Sequence, residues 1–148
     1  MNLKDKINLD LKDAMKSGDK IRLNVVRSIR ALILEFEKSG AAKELTPEDE
    51  LKMLTTAAKK RKDSIEQFRN AGRTELADTE EAELKILMDY LPKQMDEEEI
   101  KNEIVRLANE IGAKSKADFP KLMPLVMKEL KGKAEGKIVK SIVENILV

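Results

Sequence analysis

Apolar residues return every three or four positions from Leu3 to Leu147, and no stretch alternates apolar with polar convincingly. That period collects them on one side of a helix, whereas a half-buried strand needs a period of two. The chain is therefore expected to be all-α. Leu3, Ile7, Leu11 and Met15 predict a first helix ended by Gly18. Val25, Val26, Ile29, Leu32, Ile33 and Phe36 predict a second, capped by Asp19 and fraying at Ser39 and Gly40. After a short loop from Ala41 to Leu45, the run Thr46 to Asp49 reads as a helix start, with proline at the first helical position and acids behind it. The third helix should reach Ala71, with Leu51, Leu54, Ala58, Arg61, Ile65 and Phe68 as the seam of a helical hairpin.

Gly72 supplies the left-handed residue that closes such a helix, and Thr74 is expected to cap the next. On that fourth helix Leu76, Leu84, Leu87 and Leu91 recur, widened by Ala77, Ile86 and Tyr90, until Pro92 stops it. Asp96 should cap a fifth helix with Ile100, Ile104, Leu107 and Ile111 inward and Gly112 at its end. Ser115 to Asp118 has the form of a capping box opening a sixth, which carries Leu122, Met123, Val126, Met127 and Leu130. Pro120 fits its first turn; Pro124 lacks one backbone donor and is expected to bend or break the helix. Ile138, Val139, Ile142, Val143, Ile146 and Leu147 mark a last short helix. The expected organisation is a helical bundle over residues 1–92 and a compact three-helix subdomain over residues 93–148.

Composition excludes much chemistry. Lys and Arg number 29 against 28 Asp and Glu, so any anionic partner must meet a local patch and not a global field. Cysteine and histidine are both absent, which removes thiolate nucleophiles, the commonest general base and the commonest transition-metal ligand. No catalytic residue, no cofactor and no metal site is expected. Glu80, Glu81 and Glu83 form a carboxylate cluster without the histidine that helical metal sites recruit; Glu80 and Glu83 should instead reach basic residues of the third helix. Lys59 to Lys62 is the densest basic run, read as a solvated helix face balanced by Asp63 and Glu66. No apolar run approaches the roughly 20 residues needed to span a bilayer, and the N-terminus has no signal-like region, so a soluble cytoplasmic protein without a membrane is expected.

The segment Lys131 to Lys137, K-G-K-A-E-G-K, lacks the spacing and the Ser/Thr of a nucleotide-binding loop. It still places Gly132 and Gly136 where the backbone can turn tightly before a helix, with Lys131, Lys133, Lys137 and Lys140 around them. From Lys114 to Lys140 there are eight lysines and three acids, a net of +5. Two readings stand: a place for a backbone phosphate, or a helix–helix turn with its lysines in water.

Several stretches resemble the YqeY family of small bacterial proteins: K-D-S-I-E-Q-F at Lys62 to Phe68, A-G-R-T-E-L-A-D-T-E at Ala71 to Glu80, and Y-L-P-K-Q at Tyr90 to Gln94. D-F-P-K-L-M-P-L-V-M-K at Asp118 to Lys128 and K-G-K-A-E-G-K continue it. The family usually has small residues such as glycine where Pro120 and Pro124 stand, and aspartate where Glu135 stands. Its C-terminal part is related to the tail domain of the glutamine-dependent aspartyl/glutamyl-tRNA amidotransferase. The resemblance implies an accessory helical module that contacts tRNA, here through Lys121, Lys128, Lys131, Gly132, Lys133, Gly136, Lys137 and Lys140. The label such relatives attract, carbon–nitrogen ligase with glutamine as amide donor, is a second implication. A third reading makes the hairpin around Arg61 to Phe68 a docking surface for a protein partner.

Overall fold

A computed structural model describes residues 1–40 and 44–148. The described residues form seven α-helices and no strand, so the chain is all-α: α1 (Leu3–Ser17), α2 (Lys20–Lys38), α3 (Pro47–Asn70), α4 (Thr74–Met88), α5 (Glu97–Ile111), α6 (Phe119–Glu129) and α7 (Gly136–Ile146). Part of the loop expected at Ala41 to Leu45 lies outside the described residues. The helices gather into two compact units, Met1–Leu91 and Pro92–Val148, each with its own apolar core.

In the first unit α1 packs on α2, α3 on α4, and α4 also on α2. Ile7, Val25, Val26, Ile29, Leu54 and Leu87 meet in its core. The starts are fixed by side chains, at Asp19 and Thr46 as the sequence suggests: Asp19 accepts from the Arg22 amide, Thr46 and Asp49 cap each other reciprocally, and Asn2, which no sequence reading marks, accepts from the Asp5 amide. At the turn between α3 and α4, Gly72 has φ +73°, its amide donates to the Arg69 carbonyl and the Arg73 amide to that of Phe68. This double closure needs a left-handed residue. It leaves only Arg73 before α4, so Thr74 is the first helical residue and not the cap expected of it; Arg73 occupies that place without a side-chain bond.

Three apolar positions assigned inward by spacing lie outside. Met15, Leu76 and Ile111 are 59%, 46% and 44% exposed, while Ala14 and Ala77, adjacent to the first two, are buried. Close helix packing selects the small residue at those two places and rotates the long one toward solvent. Tyr90, at the end of the α4 stripe, donates its hydroxyl hydrogen bond to Asp10, and Lys6 lies 5.5 Å from the centre of its ring. Burial, then the Asp10 carboxylate, push that phenol well above its ordinary value.

In the second unit Ile100, Ile104, Leu107, Leu122, Val126, Val139 and Val143 form the core. Asp96 accepts from the Glu99 amide to start α5, and Gly112 ends it at φ +69°. Ser115 and Asp118 do form a capping box, but it opens a single 3-10 turn, Lys116–Asp118, and α6 begins only after that turn. Pro120 sits in the first turn of α6, and the helix runs unbroken through Pro124. Proline there forfeits one bond to the Pro120 carbonyl; the burial of Leu122 and Val126 on either side keeps the element whole.

Asp118 accepts from the backbone amides of Lys114 and Ser115 at 2.9 and 3.1 Å. Those bonds, the Lys114 one first, hold its carboxyl below the ordinary carboxylate value. A lowered folded-state value means stabilisation that is complete above the ordinary value and is lost as pH falls through the lowered one. In a carbon-detected NMR titration the Asp118 carboxyl should therefore titrate below the usual range. The amides of Lys114 and Ser115 should lose protection together with that step. Titration at the ordinary value would show the cap to be incidental.

Candidate nucleic-acid interface

The lysines that the sequence points to all belong to the second unit. Lys121 and Lys128 are exposed on α6, Lys131 and Lys133 in the turn after it, and Lys137 and Lys140 on α7. Gly132, with φ +77°, makes that turn. Gly136 does not: it is the first residue of α7 and its backbone is not left-handed. A β-carbon there would meet the Met127 methyl at an ordinary 3.6 Å, so Gly136 is not required by the turn geometry expected of it.

α6 and α7 run antiparallel, which divides the set in two. Lys128, Lys131, Lys133 and Lys137 cluster around the turn. Lys140 instead lines a hollow of about 570 Å³ near the start of α6, together with Lys116, Phe119, Pro120, Glu144 and Leu147. Lys121, seven residues before Lys128, stands about 10 Å up the helix. There it lies close enough to Asp118 to help lower that carboxyl. Lys133 contributes in the same way, after the Arg106 guanidinium, to holding Glu103 below its usual value. Lys121, Lys128, Lys133, Lys137 and Lys140 make no ion pair within 4 Å among the described residues. α7 starts at Glu135 with no side-chain cap on its first amides. The geometry thus offers N–H groups without a side-chain cap beside the exposed ammonium groups of Lys133 and Lys137, which suits an anion's oxygen atoms.

Two contributors carry little signal in the sequence. Lys116 adds to the regional charge, but its place beside Lys140 follows only from the antiparallel helices. Gln94 is the other. Its amide donates to the Pro92 carbonyl at 2.8 Å and to the Gly132 carbonyl at 2.7 Å, while the Met95 amide donates to the Lys133 carbonyl at 2.9 Å. The segment before α5 therefore stitches the lysine turn in place. The one sequence signal for Gln94 is membership in the Y-L-P-K-Q run. Replacing Gln94 with alanine leaves the Gly132 carbonyl without this donor, a loss of about 1–2 kcal/mol. Hydrogen exchange at the Met95 amide should then quicken by about tenfold. Unchanged exchange would show the turn to be held by other means.

Of the three acids Glu80, Glu81 and Glu83, the first and last turn inward to Arg61 of α3, as anticipated, and Glu81 meets Arg69 at 2.5 Å. Arg61 is thus not the solvated member of a basic face balanced by Asp63 and Glu66: its side chain is 16% exposed and its partners come from α4. Among the described residues no helix is long and apolar enough to cross a membrane.

These features define a small all-α protein of two helical units with a cationic turn in the second. The chain belongs to the family of Yqey-like proteins, whose model matches residues 4–147. It is 36% identical over 132 residues to "Altered inheritance of mitochondria protein 41, mitochondrial" of Pyrenophora tritici-repentis, covering 87% of this chain and 71% of that one. A protein of the same name from Clavispora lusitaniae is 34% identical over 110 residues, 72% of this chain and 63% of that one. A Schizosaccharomyces pombe protein named only as uncharacterized is 37% identical over 94 residues, 62% of this chain and 74% of that one.

Proposed function

We propose that this protein is a non-catalytic accessory module that binds structured RNA, tRNA foremost, through the lysine turn between α6 and α7. Lys128, Lys131, Lys133 and Lys137 meet the phosphates at the turn, Lys121 and Lys140 extend the contact, and Gly132 makes the turn that presents them. The observation that carries this reading is the group of exposed lysines on a hydrogen-bonded turn, of which Lys128, Lys133 and Lys137 make no ion pair among the described residues. Shape and phosphate are what a double-stranded RNA surface offers to such a group. Only four aromatics occur in the chain, which disfavours reading single strands by stacking. The resemblance of the C-terminal stretches to the tail domain of the tRNA amidotransferase supports the same reading. The setting we infer for this chain is the cytoplasm; the names of two relatives place those proteins in mitochondria.

Filter binding with bulk tRNA tests it. About four phosphate contacts predict a roughly hundredfold loss of affinity between about 50 and 200 mM salt. Changing Lys131, Lys133 and Lys137 together to glutamate should abolish binding while the helical signal is kept. Absence of binding at low salt, or binding indifferent to the triple change, removes the reading.

A further inference from the structure

In the first unit a groove of about 650 Å³ opens between α2 and α3. It exists because α4 packs against both helices while they stand apart across it. Leu32 and Phe36 form one wall, Met53 and Ala57 the other, each pair one helical turn apart and each residue only half buried. Arg61 closes one end. Its charge is already answered by Glu80 and Glu83. The groove's own acids are engaged as well, Glu80 by Arg61 at 3.1 Å and Asp49 in the capping box with Thr46.

What remains unmatched is cationic. Lys52 and Lys60 line the same groove from α3, are exposed, and make no ion pair among the described residues. Eight residues separate them, about 12 Å along the helix. An occupant must therefore bring apolar groups to the walls and negative charge to the rim, over a length of two turns or more. A polynucleotide would reach the lysines but leave Leu32 and Met53 facing water.

We infer that the groove receives an acidic amphipathic helix from a protein partner. Its apolar face lies between α2 and α3, and its carboxylates meet Lys52 and Lys60. Carboxylates at the rim would set orientation and encounter rate, and the apolar face most of the affinity.

The test uses the full chain and a fluorescein-labelled synthetic helix of about four turns, with leucine at the i, i+3, i+4 and i+7 positions and glutamate between them. A copy with lysine for every glutamate is the control. Fluorescence anisotropy should show binding of the acidic helix and binding at least tenfold weaker for the basic one. The pair Lys52→Glu and Lys60→Glu should weaken the acidic helix by about tenfold or more. Thr56→Glu separates binding from folding. Thr56 lines the groove, is exposed, and lies four residues from each lysine. A carboxylate there supports α3 through two i, i+4 pairs yet occupies the charges the partner needs. Binding should fall about tenfold with no loss of melting temperature. The inference is overturned if the acidic helix does not bind, if both helices bind equally, or if Thr56→Glu leaves affinity unchanged. Loss of bulk tRNA binding in the Lys52, Lys60 variant would assign the groove to nucleic acid instead.

Discussion

Replacing Arg61 with alanine is expected to destabilise the first unit by about 3–5 kcal/mol, because it strands a buried carboxylate. Glu83 is 9% exposed and bonded to the Arg61 guanidinium, which also holds Glu80 at 3.1 Å and approaches the Ser28 hydroxyl at 3.4 Å. One side chain thus joins α2, α3 and α4. Removing it leaves the buried Glu83 side chain without its guanidinium partner, which costs stability. For a unit of this size the melting temperature should drop by about 12–40 °C at neutral pH. The double change Arg61→Met and Glu83→Met removes the charge together with the more buried of its two carboxylates, leaving only the more exposed Glu80. It should recover most of the loss, since a buried pair is worth little more than apolar residues of similar volume. A single variant as stable as the parent, or a double variant worse than the single, would contradict the assignment.

The second large effect is expected at Leu122, which is fully buried at the centre of α6. Leu122→Ala removes its apolar contacts and leaves a cavity, a loss of about 2–5 kcal/mol. The second unit is small, and small units keep little stability in reserve. The variant should therefore unfold residues 92–148 under conditions where the parent is folded. The cores of the two units share no residue. Amide signals from α1 to α4 should persist while those of α5 to α7 collapse, and tRNA binding should go with the latter. Uniform loss of all signals would mean that the units fold as one.

Much of this fold is legible in the residues. The caps at Asp19, Thr46 and Asp96 and the stops at Gly18, Gly72 and Gly112 act within a turn of themselves, so local chemistry places them. Which of two adjacent apolar residues turns inward is a different matter. Ala14 against Met15, or Ala77 against Leu76, is decided by how closely the neighbouring helix approaches, and no periodicity contains that distance. Thr74 shows the same limit: its capping chemistry is sound, yet the double closure at Gly72 uses the residues it needed. Pro124 misleads in the other direction, since its backbone cost is smaller than the burial on either side of it.

The candidate site is legible as composition more than as geometry. Lysines and glycines announce a cationic turn, but only antiparallel packing sets Lys140, one helical turn on from Lys137, beside Lys116. Arg61 is only half legible: its place in the seam and the acids of α4 point inward, but the basic run around it reads as a solvated face balanced by Asp63 and Glu66, and only packing on α4 decides between them. Gln94 is not legible, because its chief acceptor, the Gly132 carbonyl, lies 38 residues along the chain.

That last bond makes the lysine turn a poor candidate for transplantation. A peptide cut from residues 128–140 would carry every positive charge of the turn but neither the amide that fastens Gly132 nor the hold of Met95 on Lys133. Any graft meant to reproduce its shape in another scaffold has to bring the stretch from Pro92 to Met95 along with it.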